Sequence, residues 1–71
     1  MIELKIGQVW RHIKRGTTYI IVSPNALFQA KDSPLDECRC VVYRSSLDWN
    51  VYVRPVEEFL DGRFQFVLDA R

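Results

Sequence analysis

The stretch Asn50–Phe64, NVYVRPVEEFLDGRF, decides how the rest of the chain is read. Val51, Tyr52 and Val53 are strand formers in succession, since β-branched and aromatic side chains suit a pleated, half-buried surface. Pro55 has no N–H to give to a ladder, so pairing is expected to end there. VEEFLDG then has the composition of one helical turn, with Gly62 as its stop. RFQFVLD alternates again and reads as a closing strand, with Phe59 placed to plug one end of a small barrel.

Working outward, SLDWN reads as a turn and CRCVVYRS as the clearest strand of the chain, so that strand and NVYVRPV form a hairpin. KDSPLDE is polar, contains proline and reads as a loop. Pro24-Asn25 marks a turn or bulge, and ALFQA is either a short strand or a continuation beyond that bulge. At the start, GQVWRHIKRGTTYIIVSP places two β-rich runs on either side of KRGT, where Gly16 supplies the positive φ of a tight hairpin. Alternation puts Val9, Arg11 and Ile13 on one face and Trp10 and His12 on the other. Tyr19 and Ile21 oppose Ile20 and Val22 in the same way.

Five short strands in 71 residues predict one mainly β domain over residues 1–71. The expected form is a small five-stranded SH3-like barrel, or a strongly bent antiparallel sheet, with one short helical turn before the last strand. If the sheet stays open, dimerisation is the natural way to hide its edges. A chain this short buries only about 60% of the surface its unfolded form exposes. Its nine large aromatics (two Trp, three Tyr, four Phe) exceed what so small a barrel holds inside. Some are therefore expected at the surface, which again favours a homodimer or a partner.

Ten basic against nine acidic residues leave a net charge of +1, which argues against a general nucleic-acid binder. No apolar run approaches the ~18 residues of a membrane span, and the start MIELKIGQVW lacks the pattern of a signal peptide. A cytoplasmic location with no membrane partner is the resulting expectation. Cys38 and Cys40 flank Arg39, a spacing poor for a mutual disulfide, and read as reduced, packed side chains. Zinc takes about four ligands, and His12 is the only histidine to add to these two cysteines. No cofactor or metal is expected.

Three segments together, VWRHIKRGTTYIIV, VVYRSSLDWNVYVRPVEEF and DGRF, resemble a family of small uncharacterised bacterial and bacteriophage proteins. The matching residues are Trp10, Arg11 and His12, then Val41, Val42 and Tyr43, then Tyr52, Val53, Arg54, Pro55 and Phe59, and finally Asp61 to Phe64. The resemblance covers most of the chain except SPNALFQAKDSPLDECR. It implies a small β-rich domain, often encoded by phage or prophage, and no particular reaction. Tyr52 stands where relatives usually carry tryptophan, and Trp49 is expected to replace part of that bulk.

Seven residues form the candidate site: Trp10, Arg11, His12, Tyr43, Arg44, Tyr52 and Arg54. His12 has the ordinary pKa of an acid–base group, but no nucleophile is placed with it by a known motif, and Ser45, Ser46 and Cys40 make no triad. A strand histidine whose ring bonds a backbone carbonyl or a nearby carboxylate is the plainer reading. Arg44 and Arg54 lie on neighbouring predicted strands and are expected to converge, with Tyr43 and Tyr52 meeting on the other face. Paired guanidiniums can grip a phosphate or carboxylate while a ring stacks on a base. Alternatively, Arg54 pairs with Glu57 or Glu58 and fixes the helical turn. Arg11, Lys14 and Arg15 beside Trp10 make a basic loop that could touch phosphates, though with net charge near zero a solvated turn is the plainer reading. The expected function is therefore a non-enzymatic binding or adaptor module. Its partner would be a host protein or a small phosphorylated ligand, such as a nucleotide signal captured in counter-defence. The alternative is a nucleic-acid-binding small barrel.

Overall fold

The computed structural model describes residues 3–69. Its elements in chain order are β1 (Val9–His12), β2 (Thr18–Leu27), β3 (Arg39–Ser45), β4 (Val51–Pro55), α1 (Val56–Phe59) and β5 (Phe64–Leu68). All pairings are antiparallel, in one sheet of order β4-β3-β2-β1-β5. The mainly β reading holds, and so does the single helical turn before the last strand. The sheet is bent but not closed: β4 and β5 are its two edges, and no ladder joins them.

The bend follows from local chemistry. The β2–β3 register shifts twice, between Ile21 and Ser23 and between Ser23 and Ala26; the second interval contains Pro24, which has no N–H for the ladder. The strand continues through this irregularity to Leu27, so Ala26-Leu27 is a continuation of β2. A third shift lies between Val9 and Trp10 where β1 meets β5. Such bulges sharpen the twist and let a small sheet wrap around its contents.

Those contents are aromatic. Trp10, Tyr19, Ile21, Val41, Tyr43, Phe59 and Phe64 form one buried cluster. Phe59, fully buried, stacks on Phe64 with ring centroids 4.2 Å apart and meets the edges of Trp10 and the tilted ring of Tyr43. Thus α1 is short because it serves to seat one ring between the two edges of the sheet. It has no side-chain cap; Pro55 precedes it at φ −53, and Leu60 N–H closes its turn on Val56 O at 3.0 Å. Gly62 follows at φ 108, a left-handed conformation that a side chain would strain.

Gln8 is the polar counterpart of this core. It is 1% exposed, and its Oε1 accepts from Trp10 Nε1 (3.1 Å) and from Lys5 N–H (3.0 Å). Its Nε2 donates to Glu3 O (2.8 Å) and to Asp69 Oδ1 (3.2 Å). One amide therefore ties both ends of the described chain to the tryptophan, and a buried polar side chain without such partners would be costly.

Candidate functional site

The structure divides the seven candidate residues between two faces and the core. In the β3–β4 ladder, Tyr43 lies opposite Tyr52 and Val41 opposite Arg54, while Arg44 lies opposite Val51. Alternation then sets Arg54 on the inner face and Arg44 on the outer one, so the two guanidiniums do not converge. Their one-residue difference in parity was readable from sequence only with the register known. The two tyrosines do meet, stacked at 5.7 Å, with Tyr43 buried and Tyr52 at the rim.

Trp10 is buried too, engaged by Gln8 and by Phe59 and Phe66, and offers no ring for a base. Arg11 is exposed beside Trp10 but points away from the side that His12 takes. Trp49 does not substitute for bulk at Tyr52, because its ring lies on the outer face, 4.5 Å from Arg44 Cζ.

A groove of about 720 Å³ lies beside the β1–β2 turn, lined by His12, Ile13, Lys14, Arg15, Arg54, Gly62 and Arg63. Three elements build it. The β1–β2 turn contributes Lys14 and Arg15, held by Gly16 at φ 76, with Gly16 N–H bonded to His12 O at 2.7 Å. The backbone N–H of Ile13 donates to Arg63 O at 2.9 Å, joining that turn to the turn before β5. Arg54 enters from the end of β4. Lys14 and Arg15 are the basic loop expected from the sequence, and Arg63 is an addition to it. The sequence places Lys14-Arg15 in a turn, but nothing in it brings Arg63 alongside.

Two of the cations are already positioned by carboxylates. Arg54 Nε donates to Tyr43 Oη at 3.1 Å, and its Nη1 stands 3.8 Å from Glu58 Oε1. The expectation that Arg54 braces the helical turn is met at Glu58. The hydrogen bond to Tyr43 is the main reason its pKa is raised, against the opposing effect of burial. Arg63 reaches Asp61 Oδ2 at 3.1 Å and Glu58 Oε1 at 3.7 Å. These exposed pairs are weak. Their role is orientation of the guanidiniums. Lys14 and Arg15 form no ion pair among the described residues, and no carboxylate lines the groove.

His12 sits among these cations. Its Nδ1 accepts from Arg15 N–H at 3.2 Å, and its ring meets Phe64 edge-on at 5.0 Å. Desolvation lowers its pKa most, followed by the charges of Arg15, Arg54, Arg63 and Lys14. The expected bond to a backbone carbonyl or a carboxylate is not the one that forms: the ring accepts from a backbone N–H instead, because the β1–β2 turn brings the Arg15 amide back onto it. Chemically, the groove is a set of donors and positive charge suited to an anion.

No family model, curated protein or solved structure matches the chain. The family resemblance therefore rests on the sequence motifs alone.

The remaining expectations concern the cysteines. Both are free; Cys40 is buried, and burial foremost, then Cys38, pushes its thiol pKa up. Such a thiol packs as a small apolar group rather than reacting. No helix among the described residues is long and apolar enough to cross a membrane.

Proposed function

We propose that the protein is a non-enzymatic binding module that captures a small phosphorylated ligand in the His12–Arg63 groove. One observation carries this reading: Lys14, Arg15, Arg54 and Arg63 converge on a concave surface with no carboxylate in its lining. Arg54 and Arg63 are partly compensated by Glu58 and Asp61, whereas Lys14 and Arg15 have no ion pair among the described residues, so an anion in the groove gains most from those two. Arg54 and Arg63 supply planar forks suited to bidentate phosphate contacts, whereas Lys14 supplies a mobile point charge. His12 Nδ1 is occupied by a backbone N–H, and no nucleophile joins it in the groove, which supports capture rather than turnover.

The phage resemblance makes a nucleotide signal of the host a suitable ligand class. The groove itself speaks for the phosphate, with Ile13 the apolar wall nearest to it. Nucleic-acid binding is weakened as a reading, since Trp10, the ring it relied on, is buried.

Titration with pyrophosphate, a nucleoside monophosphate and a short duplex at low salt, followed by amide chemical shifts, tests the proposal. Shifts at His12–Arg15 and Arg63 with pyrophosphate and the nucleotide, lost in Arg15→Ala, are expected. Binding that requires the duplex would transfer the site to nucleic acid. No shift with any of the three would end the phosphate reading.

A further inference from the structure

The outer face of the sheet carries a second feature, independent of the groove. Val51 and Val53 of β4 are 58% and 54% exposed, and Trp49 and Leu47 in the preceding turn are more exposed still. These residues sit at an open edge. Ser45 N–H donates to Asn50 O at 2.9 Å, which fixes the alternation of the β3–β4 ladder. Tyr52 and Arg54 therefore aim their backbone groups at β3, while Val51, Val53 and Pro55 aim theirs outward. Pro55 has no N–H, so the edge offers two complete donor–acceptor positions, Val51 and Val53.

We infer that β4 pairs antiparallel with β4 of a second copy of this chain, about a two-fold axis through Tyr52. Only this register uses both outward positions fully. Val51 then lies opposite Val53 of the second copy, and Val53 opposite its Val51, giving four backbone hydrogen bonds. A register centred on Val53 would set Val51 against Pro55 and lose the proline's missing donor. In the Tyr52 register, Pro55 instead falls opposite Trp49, whose φ of 65 already ends the strand.

The side chains agree with the backbone. On the outer face, four valines from the two copies meet as cross-strand neighbours, continuing the apolar row begun by Val42. On the inner face, Tyr52 meets Tyr52, and each Arg54 faces the neutral Asn50 of the other copy. No like charges are opposed. The other charged side chain nearby, Arg44, stands one strand back beneath Trp49. A self-complementary, uncharged strip of this kind fits a second copy better than a partner of opposite charge. The sheet would become a continuous ten-stranded one, twice the five strands of a single chain.

The interface is small, so association is expected to be concentration-dependent, with a dissociation constant on the order of micromolar to tens of micromolar. Sedimentation equilibrium of the full chain should show dimer, and Val53→Lys should shift it to monomer, while Arg15→Ala leaves it unchanged. Val53→Lys is to be accompanied by Val51→Thr, which keeps strand propensity and should weaken association several-fold without unfolding. Hydrogen exchange should show Val51 and Val53 amides protected at high concentration and released on dilution. Monomer at roughly 1 mM would overturn the inference. So would a dimer that survives Val53→Lys, or concentration-dependent protection confined to β5. Loss of phosphate binding would leave it standing, because the groove and the β4 edge share no outward-facing group.

Discussion

The two hairpins of this sheet obey the same pairing rules and end in opposite surfaces. The β1–β2 turn is cationic, with Lys14 and Arg15 beside Gly16 at φ 76. The β3–β4 turn is apolar, with Leu47 and Trp49 exposed and Trp49 itself at φ 65. Glycine takes the left-handed conformation without penalty, and a bulky residue does not. The second turn is held by other means. Asp48 accepts from Asn50 N–H (3.0 Å) and from Asn50 Nδ2 (3.1 Å), and Trp49 covers the Arg44 guanidinium. Trp49 thus holds a strained, exposed position by its neighbours' bonds, whereas the glycine turn needs no such support.

The hairpins share one core, which gives the largest expected effect. Phe59→Ala should destabilise the protein by about 3–5 kcal/mol, the usual cost of emptying a buried aromatic site. Thermal denaturation should show both hairpins lost in one transition. Separate melting of the β3–β4 hairpin would break the picture of a common core.

Next come the turns themselves. Gly16→Ala meets no atom within 4 Å, so its cost is backbone strain alone, about 1–2 kcal/mol. Trp49→Gly removes strain of similar size but also removes the ring over Arg44, and the net change should be smaller than for Gly16→Ala. Arg44 Nε is buried without a hydrogen-bond partner among the described residues. Arg44→Met should accordingly be near neutral, since an unsatisfied polar atom is exchanged for an apolar one. Denaturant midpoints order the three variants.

Ligand binding should separate Arg44 from Arg54, which lie on opposite faces of the sheet. Arg54→Ala should weaken pyrophosphate binding roughly tenfold, in line with the loss of one charge-assisted contact. Arg44→Ala should leave it unchanged. Equal losses would restore a common arginine site.

The smallest effect is that of pH. His12 has its folded-state pKa lowered below the ordinary 6.5, so the unfolded chain binds the extra proton first. Stability should be flat above about pH 6.5 and decline as pH falls through the lower folded value. His12→Gln should flatten that decline. Sulfate, which stays a dianion in this range, should bind more tightly as the pH falls and His12 gains its proton.

Much of the fold was legible. The strand, proline, helical turn and glycine of Asn50–Phe64 appear where their local preferences put them, as do Gly16 and the irregularity at Pro24. These depend on φ restrictions, missing donors and alternation, which act within a few residues. The candidate site was less legible. Trp10 and Tyr43 stand among the binding candidates in the sequence, yet the bent sheet folds its inner face around them. The role of Gln8 is not legible in the sequence, because its four hydrogen bonds involve residues spread between Glu3 and Asp69.

The sequence by itself determined which segments are strands, where they stop and which side chains share a face within each. Only the tertiary structure decided which faces look inward and which strands stand at the edge. Register across β3–β4 parted Arg44 from Arg54, and the approach of Arg63 to the first turn gathered the cations. The reason is physical: alternation fixes relative direction along one strand, whereas absolute direction is set by the partner strand and by what the core has room to bury.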